Sequence, residues 1–444
     1  MRCDAASSWL CGRHVSVATA MPTAGTSFLF LCRPTVSCCT NTPNPLKRRY
    51  SGSSHAPDIV RRWIQSDHPL ASQDRFTVAS YNILGDRNAF AHRDMYGNVP
   101  SMYLKWDHRK RVICDEISAW NSDIVCLQEV DKYLELSNNL AKLGYAGSYK
   151  RRTGDTVDGC ATFWKSHNLR LLDEESIEFK GYGLRDNVAQ LSVFEVEHLE
   201  IRQYFLDSIQ QMHKDKSRKL VIGNIHVLYS PSRGEIKLGQ IRFLLSRAHI
   251  LSERWGNAPV VLCGDFNSTP QSAIYKFLST SELNIMSFDR TELSGQKSCH
   301  PAQVLGVKQR TSRPLNLIDG LLKHSWTDEE IRVATGNSGS HSVVHPSNLN
   351  SSYAMVQGST ATRGSSGEPL ATSYHSKFLG TVDYLWYSDG LVPTGVLDTV
   401  SLDTLQRIGS LPCKKVGSDH LALVSEFAFT PGTKEGNNTT ASTI

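Results

Sequence analysis

Residues 260–270 read VVLCGDFNSTP. Val260 to Cys263 form an apolar run of the kind that fills a fully buried strand, which needs no polar alternation. The run stops at Gly264, and Asp265 and Asn267 follow two positions apart. A turn would account for both residues. So would a phosphate and a metal ion held at the end of a sheet, where α/β ligand crevices form. Ser268, Thr269 and Pro270 read as the start of a helix over 270–278, with Pro270 in the first helical position.

The same break recurs along the chain. RFTVASYNIL (75–84), DIVCLQEV (123–130), GCATFWK (159–165), NVAQLSVFEV (187–196), KLVIGNIHVL (219–228), GTVDYLWYS (380–388) and HLALVSEF (420–427) are further strand candidates. Residues 104–120 and 235–255 carry apolar side chains at helical spacing. Strands mixed with helices over this length imply one layered α/β domain. Several strands carry a short polar group at one end. Asn82 follows VASY, Glu129 follows VCLQ and His226 follows IGNI. Asp383 opens DYLWYS, while Asp419 and His420 precede LALVSEF. Singly, each has an ordinary reading as a turn former, a helix cap or a hydrogen-bonded core histidine. Together they form a chemical set. Carboxylates and carboxamides are hard donors suited to Mg²⁺, with Mn²⁺ as the alternative. Imidazoles move protons or donate to a phosphoryl oxygen. Such a set implies metal-assisted phosphoester hydrolysis. A Gly-x-Ser-x-Gly elbow and a Walker A loop are both absent from the sequence, which argues against a serine hydrolase and a nucleotide-driven motor.

Composition agrees with a globular enzyme. Hydrophobic residues at 40% and charged residues at 20% fit an ordinary soluble globular protein. The net charge of +5 comes from the N-terminus: Arg2, Arg13, Arg33, Lys47, Arg48 and Arg49 face only Asp4 there, and the remainder balances. A nucleic-acid partner must therefore be held by a local groove. The eleven Cys show no C-x-x-C pair, so neither a zinc site nor a disulfide framework is expected. No stretch approaches the ~18 consecutive apolar residues of a membrane span, so no membrane partner is expected. Residues 1–50 are acid-poor, with Ser, Thr and Arg, and RRYS (48–51) resembles a presequence cleavage site. They are expected to be a mitochondrial or chloroplast transit peptide; the alternative is a disordered extension on a cytoplasmic and nuclear protein.

SYNIL, LQEV, DGCA, GDFNSTP, VDYLWYS and GSDHLALV, in this order, resemble the endonuclease/exonuclease/phosphatase superfamily. YNILGD, CLQEVD, VDGCATFW and FLGTVDYLWYSD are similar to its deadenylase branch, named for carbon catabolite repressor protein 4 and containing nocturnin and the angel proteins. The resemblance runs from about Arg75 to Phe427. It implies a four-layer α/β/β/α sandwich of two stacked mixed sheets flanked by helices, with the active site at one edge. It implies Glu129 as principal Mg²⁺ ligand, with Asn82 and Asp419 near the metal. Asp265 would hold or deprotonate the attacking water, and Asn267 would orient that water or the phosphate. His226 would donate to a phosphoryl oxygen, and His420, its tautomer set by Asp383, would be the second phosphate ligand and acid. Pro231 and Phe378 match the positions that sandwich an adenine in poly(A)-cutting relatives, where stacking is worth ~1–3 kcal/mol per base.

The expected domains are a linker at 51–74, a catalytic domain at 75–430 with a flexible Ser/Gly-rich insertion at about 334–376, and a disordered tail at 431–444. The expected activity is a Mg²⁺-dependent 3′-to-5′ exoribonuclease shortening poly(A) or other RNA 3′ ends to 5′-mononucleotides. The alternatives are a 2′-phosphatase acting on NADP(H) and a catalytically inactive RNA-binding protein. The leucine-rich repeats that dock the founding deadenylase onto its complex are absent from this sequence, so no such docking is expected.

Overall fold

The computed structural model describes residues 59–67, 75–196, 218–306 and 326–430. The expected transit peptide, most of the expected linker and the expected tail lie outside the described residues.

Two sheets carry the fold. The first has seven strands, in spatial order β1 (Trp63–Gln65), β16 (Leu391–Leu397), β17 (Leu423–Phe429), β2 (Arg75–Asn82), β3 (Ile124–Gln128), β5 (Gly159–Lys165) and β4 (Tyr145–Arg151). The second has six: β12 (Leu349–Ser351), β15 (Asp383–Ser388), β9 (Val260–Asp265), β8 (Arg218–His226), β7 (Val188–Val196) and β6 (Leu169–Glu178). Both are mixed, with β2–β3 and β8–β9 parallel and the other pairs antiparallel. Two short antiparallel pairs complete the set: β10 (Glu282–Asn284) with the distant β11 (Ser342–Val344), and the hairpin of β13 (Ser373–His375) with β14 (Phe378–Gly380).

Side-chain alternation builds the layers. Val78, Ile124 and Cys126 of the first sheet meet Ile222, Val261, Cys263 and Leu385 of the second in one buried core. The opposite faces bury elsewhere. Ala79, Tyr81, Val125 and Leu127 pack under the helices Trp106–Trp120 and Tyr133–Ala141. Val221, Val260, Leu262, Tyr384 and Trp386 pack under Gly234–Arg254 and Ala273–Thr280. The result is the expected four-layer sandwich.

Gly264 has a structural reason. Its φ is +142°, and a Cβ there would lie 1.9 Å from the carbonyl oxygen of Ile225 on the neighbouring strand. Only glycine permits that approach.

Three expectations change. The helix after Pro270 starts later, at Ala273, because Ser272 accepts from the Tyr275 N–H and caps it; Pro270 stays in the turn. Part of the linker is folded: Trp63–Gln65 pairs with β16, and Arg61 donates to the carbonyls of Leu397, Asp398 and Ala422. Three residues are too few to display alternation.

The third change is the largest. Residues 334–376 are folded and carry strands β11, β12 and β13. Their apolar side chains are sparse but well placed, with Val343 and Leu349 in one core and Tyr353 and Val356 in another. Buried polar groups supply the rest. The Tyr353 hydroxyl donates to Leu397 O at 2.6 Å and accepts from Val424 N at 2.9 Å. Glu368, fully buried, accepts from the Tyr275 hydroxyl at 2.9 Å.

Burial pushes the Glu368 carboxyl up to about 7. A carboxyl raised in the fold contributes stability that is present below its unfolded value and lost as pH rises through about 7. Glu368→Gln removes that loss. Between pH 5 and 8 the variant should gain on the wild type by roughly 2–3 kcal/mol in urea unfolding. A difference independent of pH would mean that Glu368 is solvated and the segment loosely held.

Candidate active site

The alternation that fills the inter-sheet core also aims the chemistry. Asn82 shares parity with Val78, His226 with Ile222, Asp265 with Cys263, and Asp383 with Leu385. Register aligns them: Asp265 lies opposite Asp383 on one side and opposite His226 on the other. The inter-sheet layer thus turns from apolar to polar at one end. A buried amide pair marks the change, Gln128 donating to Asn224 Oδ1 at 2.9 Å.

Each strand exit bends sharply. Leu84, Glu129 and Asn267 adopt φ of +55°, +58° and +48°, a conformation costly for residues other than glycine. The bends are held from behind. Arg109, fully buried, donates to the carbonyls of Ile83 (2.9 Å) and Leu84 (2.6 Å). The Ser418 hydroxyl donates to Asn82 O at 2.6 Å, tying the Asp419 loop to the end of β2.

Glu129 is oriented by three donors. Asn82 Nδ2 reaches Oε1 at 3.1 Å, while Gly85 N (3.1 Å) and Asn88 Nδ2 (2.8 Å) reach Oε2. The other Nδ2 contact of Asn82 is to Asp265 Oδ2 at 3.1 Å. Asp265 also accepts from Asn267 N at 2.8 Å through Oδ1. His226 Nε2 and His420 Nε2 lie 3.6 and 3.9 Å from Asp265 Oδ2. His420 Nδ1 is 2.8 Å from Asp383 Oδ2. Asp419 accepts from the Tyr96 hydroxyl at 2.8 Å.

The electrostatics separate the two histidines. Burial, aided by Arg152, pushes His226 down to about 4, so it is a neutral donor. Burial also works against charge on His420, but Asp383, Asp419 and Asp265 outweigh it and hold the imidazole well above its usual range. His420 is therefore a cation with Nδ1–H on Asp383 and Nε2–H free for the cleft. Burial, then Asp383, raises Asp265 to about 7. So much buried negative charge suits a divalent cation.

One ligand atom each from Asp265, Asp383 and His420 lie within 4.8 Å of one another. We favour a cation nearer Glu129, because the 2.8 Å contact between His420 and Asp383 is a charged hydrogen bond and hard cations prefer oxygen donors. Glu129, Asp265 and Asp419 line a cleft of about 170 Å³, with Asn82 bridging the first two.

His226, Asn267, His420 and Phe378 also line that cleft. Asn82 and Asp383 stand behind it, Asn82 hydrogen-bonded to Glu129 and Asp265 and Asp383 to His420. Pro231 is not among the lining residues: it is half-buried in the turn, and its carbonyl accepts from Ser294 Oγ. The exposed Tyr229, two positions earlier, lines the wall instead. Tyr96, Arg152, Gln296 and His375 are further lining residues that the motifs did not single out. Arg152 had a signal in the basic run KRR (150–152), and Tyr229 in the aromatic that follows a strand-end histidine.

Residues 79–420 match the Endonuclease/Exonuclease/phosphatase family. Carbon catabolite repressor protein 4 homolog 3 of Arabidopsis thaliana is 57% identical over 391 residues, covering 87% of this chain and 83% of that protein. The CCR4-Not complex 3′-5′-exoribonuclease subunit Ccr4 of Mycosarcoma maydis is 27% identical, over 87% of this chain and 57% of that protein. The structure of ANGEL2, a 2′,3′-cyclic phosphatase, in complex with adenosine-2′,3′-vanadate superposes with a TM-score of 0.65 at 28% identity. It covers 84% of this chain and 99% of that one.

MgCl₂ or MnCl₂ should raise the thermal midpoint of the full chain, with ~2.7 kcal/mol of stabilisation at a hundredfold excess over Kd. Glu129→Gln should cut that gain. Equal gains in both proteins would place the cation away from Glu129.

Proposed function

The chain belongs to the endonuclease/exonuclease/phosphatase family, and we propose that it is a Mg²⁺-dependent 3′-to-5′ exoribonuclease acting on RNA 3′ ends. Its branch is that of the carbon catabolite repressor protein 4 homologs, and its chemistry is phosphoester hydrolysis. Poly(A) is the leading substrate, with 5′-mononucleotides as products. The observation that carries this reading is the convergence of Glu129, Asp265, His226 and His420 on one cleft that also holds Phe378. Charged groups for a phosphodiester thus adjoin an aromatic face for a base.

Glu129, Asp265 and Asp419, with Asn82 beside them, would hold the cation. When bound, the cation draws charge from a phosphoryl oxygen and lowers the barrier to attack. Asp265 takes the proton from the attacking water, whose oxygen bonds to phosphorus as the P–O3′ bond breaks, and the departing 3′-oxygen takes a proton from His420. Neutral His226 and the cationic His420 donate to the phosphoryl oxygens as charge builds, and Asn267 adds an amide donor. Asp383 holds the proton on Nδ1 of His420 and so aims Nε2–H at the substrate.

A second reading is favoured by the likeness to ANGEL2: hydrolysis of a 2′,3′-cyclic phosphate at an RNA 3′ end. Product analysis separates the readings. The full chain with Mg²⁺ is offered 5′-labelled oligo(A), the same oligomer ending in a 2′,3′-cyclic phosphate, and NADPH. The expected result is a ladder of shortened oligo(A) with AMP release. Intact oligo(A) with ring opening alone, or with phosphate release from NADPH, would sink the exonuclease reading. Asp265→Ala is the control and should lose ~10²-fold or more in turnover.

We also propose organellar import, supported by the acid-poor segment 1–50. Removing residues 1–50 should return a fluorescent fusion to the cytosol, and an unchanged distribution would remove that proposal.

A further inference from the structure

We propose that Lys237 and Gln296 are positioning residues that set which way round the Asn267 carboxamide sits in the cleft. The inference rests on reading the cleft as a phosphoester hydrolase.

A carboxamide presents an oxygen that only accepts and a nitrogen that only donates, on ends of nearly equal shape. Something must choose between the two orientations of Asn267. The choice begins at Lys237: burial lowers it to about 7, and in its charged form it has three donors and no acceptor. The side chain reaches from the helix Gly234–Arg254 and is fully buried. Nζ donates to the backbone oxygen of Asn267 at 2.7 Å and to Oε1 of Gln296. Gln296 Oε1 also lies 3.2 Å from Ser294 Oγ. With its oxygen committed, Gln296 turns Nε2 toward Asn267 and donates to Oδ1 at 2.9 Å. Asn267 then has its oxygen on Gln296 and its nitrogen 3.0 Å from the carbonyl of Val227.

Reversing Asn267 alone would set Oδ1 against the Val227 carbonyl and Nδ2 against Nε2 of Gln296. Both contacts are repulsive. Reversing Gln296 as well would set two donors against each other at Lys237. The orientation is thus rooted in the charged form of Lys237, which has no acceptor. Its product is specific. The second N–H of Asn267 Nδ2 has no protein acceptor among the described residues, and the side chain lines the cleft. That N–H is a fixed donor for a phosphoryl oxygen gaining charge.

A merely structural role would confine Lys237 and Gln296 to holding the left-handed turn at Asn267. A double-mutant cycle on the full chain separates the two. Gln296→Ala, Asn267→Ala and the double variant are measured on whichever of oligo(A), its cyclic-phosphate form or NADPH the wild type hydrolyses. Rates are corrected for the folded fraction. Gln296→Ala should lower kcat about tenfold or more with little change in KM, since the lost donor acts as charge develops. In the Asn267→Ala background it should cost less than about twofold. Gln296→Glu keeps shape and the contact to Lys237 but offers Asn267 an oxygen, so it should fail to rescue kcat. Losses that multiply in the double variant, or wild-type kcat in Gln296→Glu, would overturn the inference while leaving the hydrolase reading intact. A wild type inert toward all three substrates would overturn both. Lys237→Met should reproduce the Gln296→Ala defect; should it not fold, the Gln296 variants decide alone.

Discussion

The two-residue period of the strands governs this protein. Each strand of the two sheets points alternate side chains into the layer between them, and Asn82, His226, Asp265 and Asp383 are those same positions continued to the strand ends. Val261, Cys263 and Asp265 are one such series, and Leu385 and Asp383 another. A slip of one residue in β9 would drive Asp265 toward the outer helices and bring Val260 and Leu262 between the sheets. Gly264 helps prevent it, because the close approach to Ile225 exists in one register alone. Core packing and catalytic geometry are therefore a single constraint.

Such a continuation creates a boundary problem, because apolar packing and buried charge cannot meet directly without unsatisfied polar atoms. An intermediate layer of uncharged amides and hydroxyls solves it. Gln128 donates to Asn224 and Ser80, and Asn224 donates to the carbonyls of Leu127 and Ala161. These bonds stitch the sheets together where the apolar core ends. They also give the site a stiff floor, so that the orienting contacts on Glu129 and Asp265 act on fixed partners.

The strongest parts of the fold were legible because they involve contradictions in local sequence. A carboxylate at the end of an apolar run has no packing reason to be there, and Glu129, Asp265 and Asp383 declared themselves that way. Two strands absent from the sequence expectations, β4 and β6, do not present that contrast. Tyr145–Arg151 is mostly half-buried, and Leu169–Glu178 carries acidic residues along a sheet edge. Residues 334–376 misled for a related reason. Their order depends on isolated anchors such as Tyr353 and Glu368 whose partners are 44 and 93 positions away in the chain. Composition averages over such anchors and cannot register them. Lys237 and Gln296 were invisible on the same grounds, since their meaning lies in mutual hydrogen bonds across 59 positions.

The site also concentrates what the rest of the molecule must offset. Three non-glycine residues hold left-handed backbone, at roughly 1–3 kcal/mol each. Asp265 and Asp383 face each other across adjacent strands, and Lys237 is buried without a carboxylate partner within hydrogen-bond reach among the described residues. None of this favours folding. The compensation is spatial: the strained exits leave strands whose interiors are deeply buried, and Arg109 and Ser418 brace them from behind. An arrangement in which charge repels charge and backbone resists its own bend has few ways to relax. Held by two sheets that cannot shift register, it keeps its donors and acceptors aimed before any substrate arrives, and that is what lowers the reorganisation needed during phosphoester cleavage.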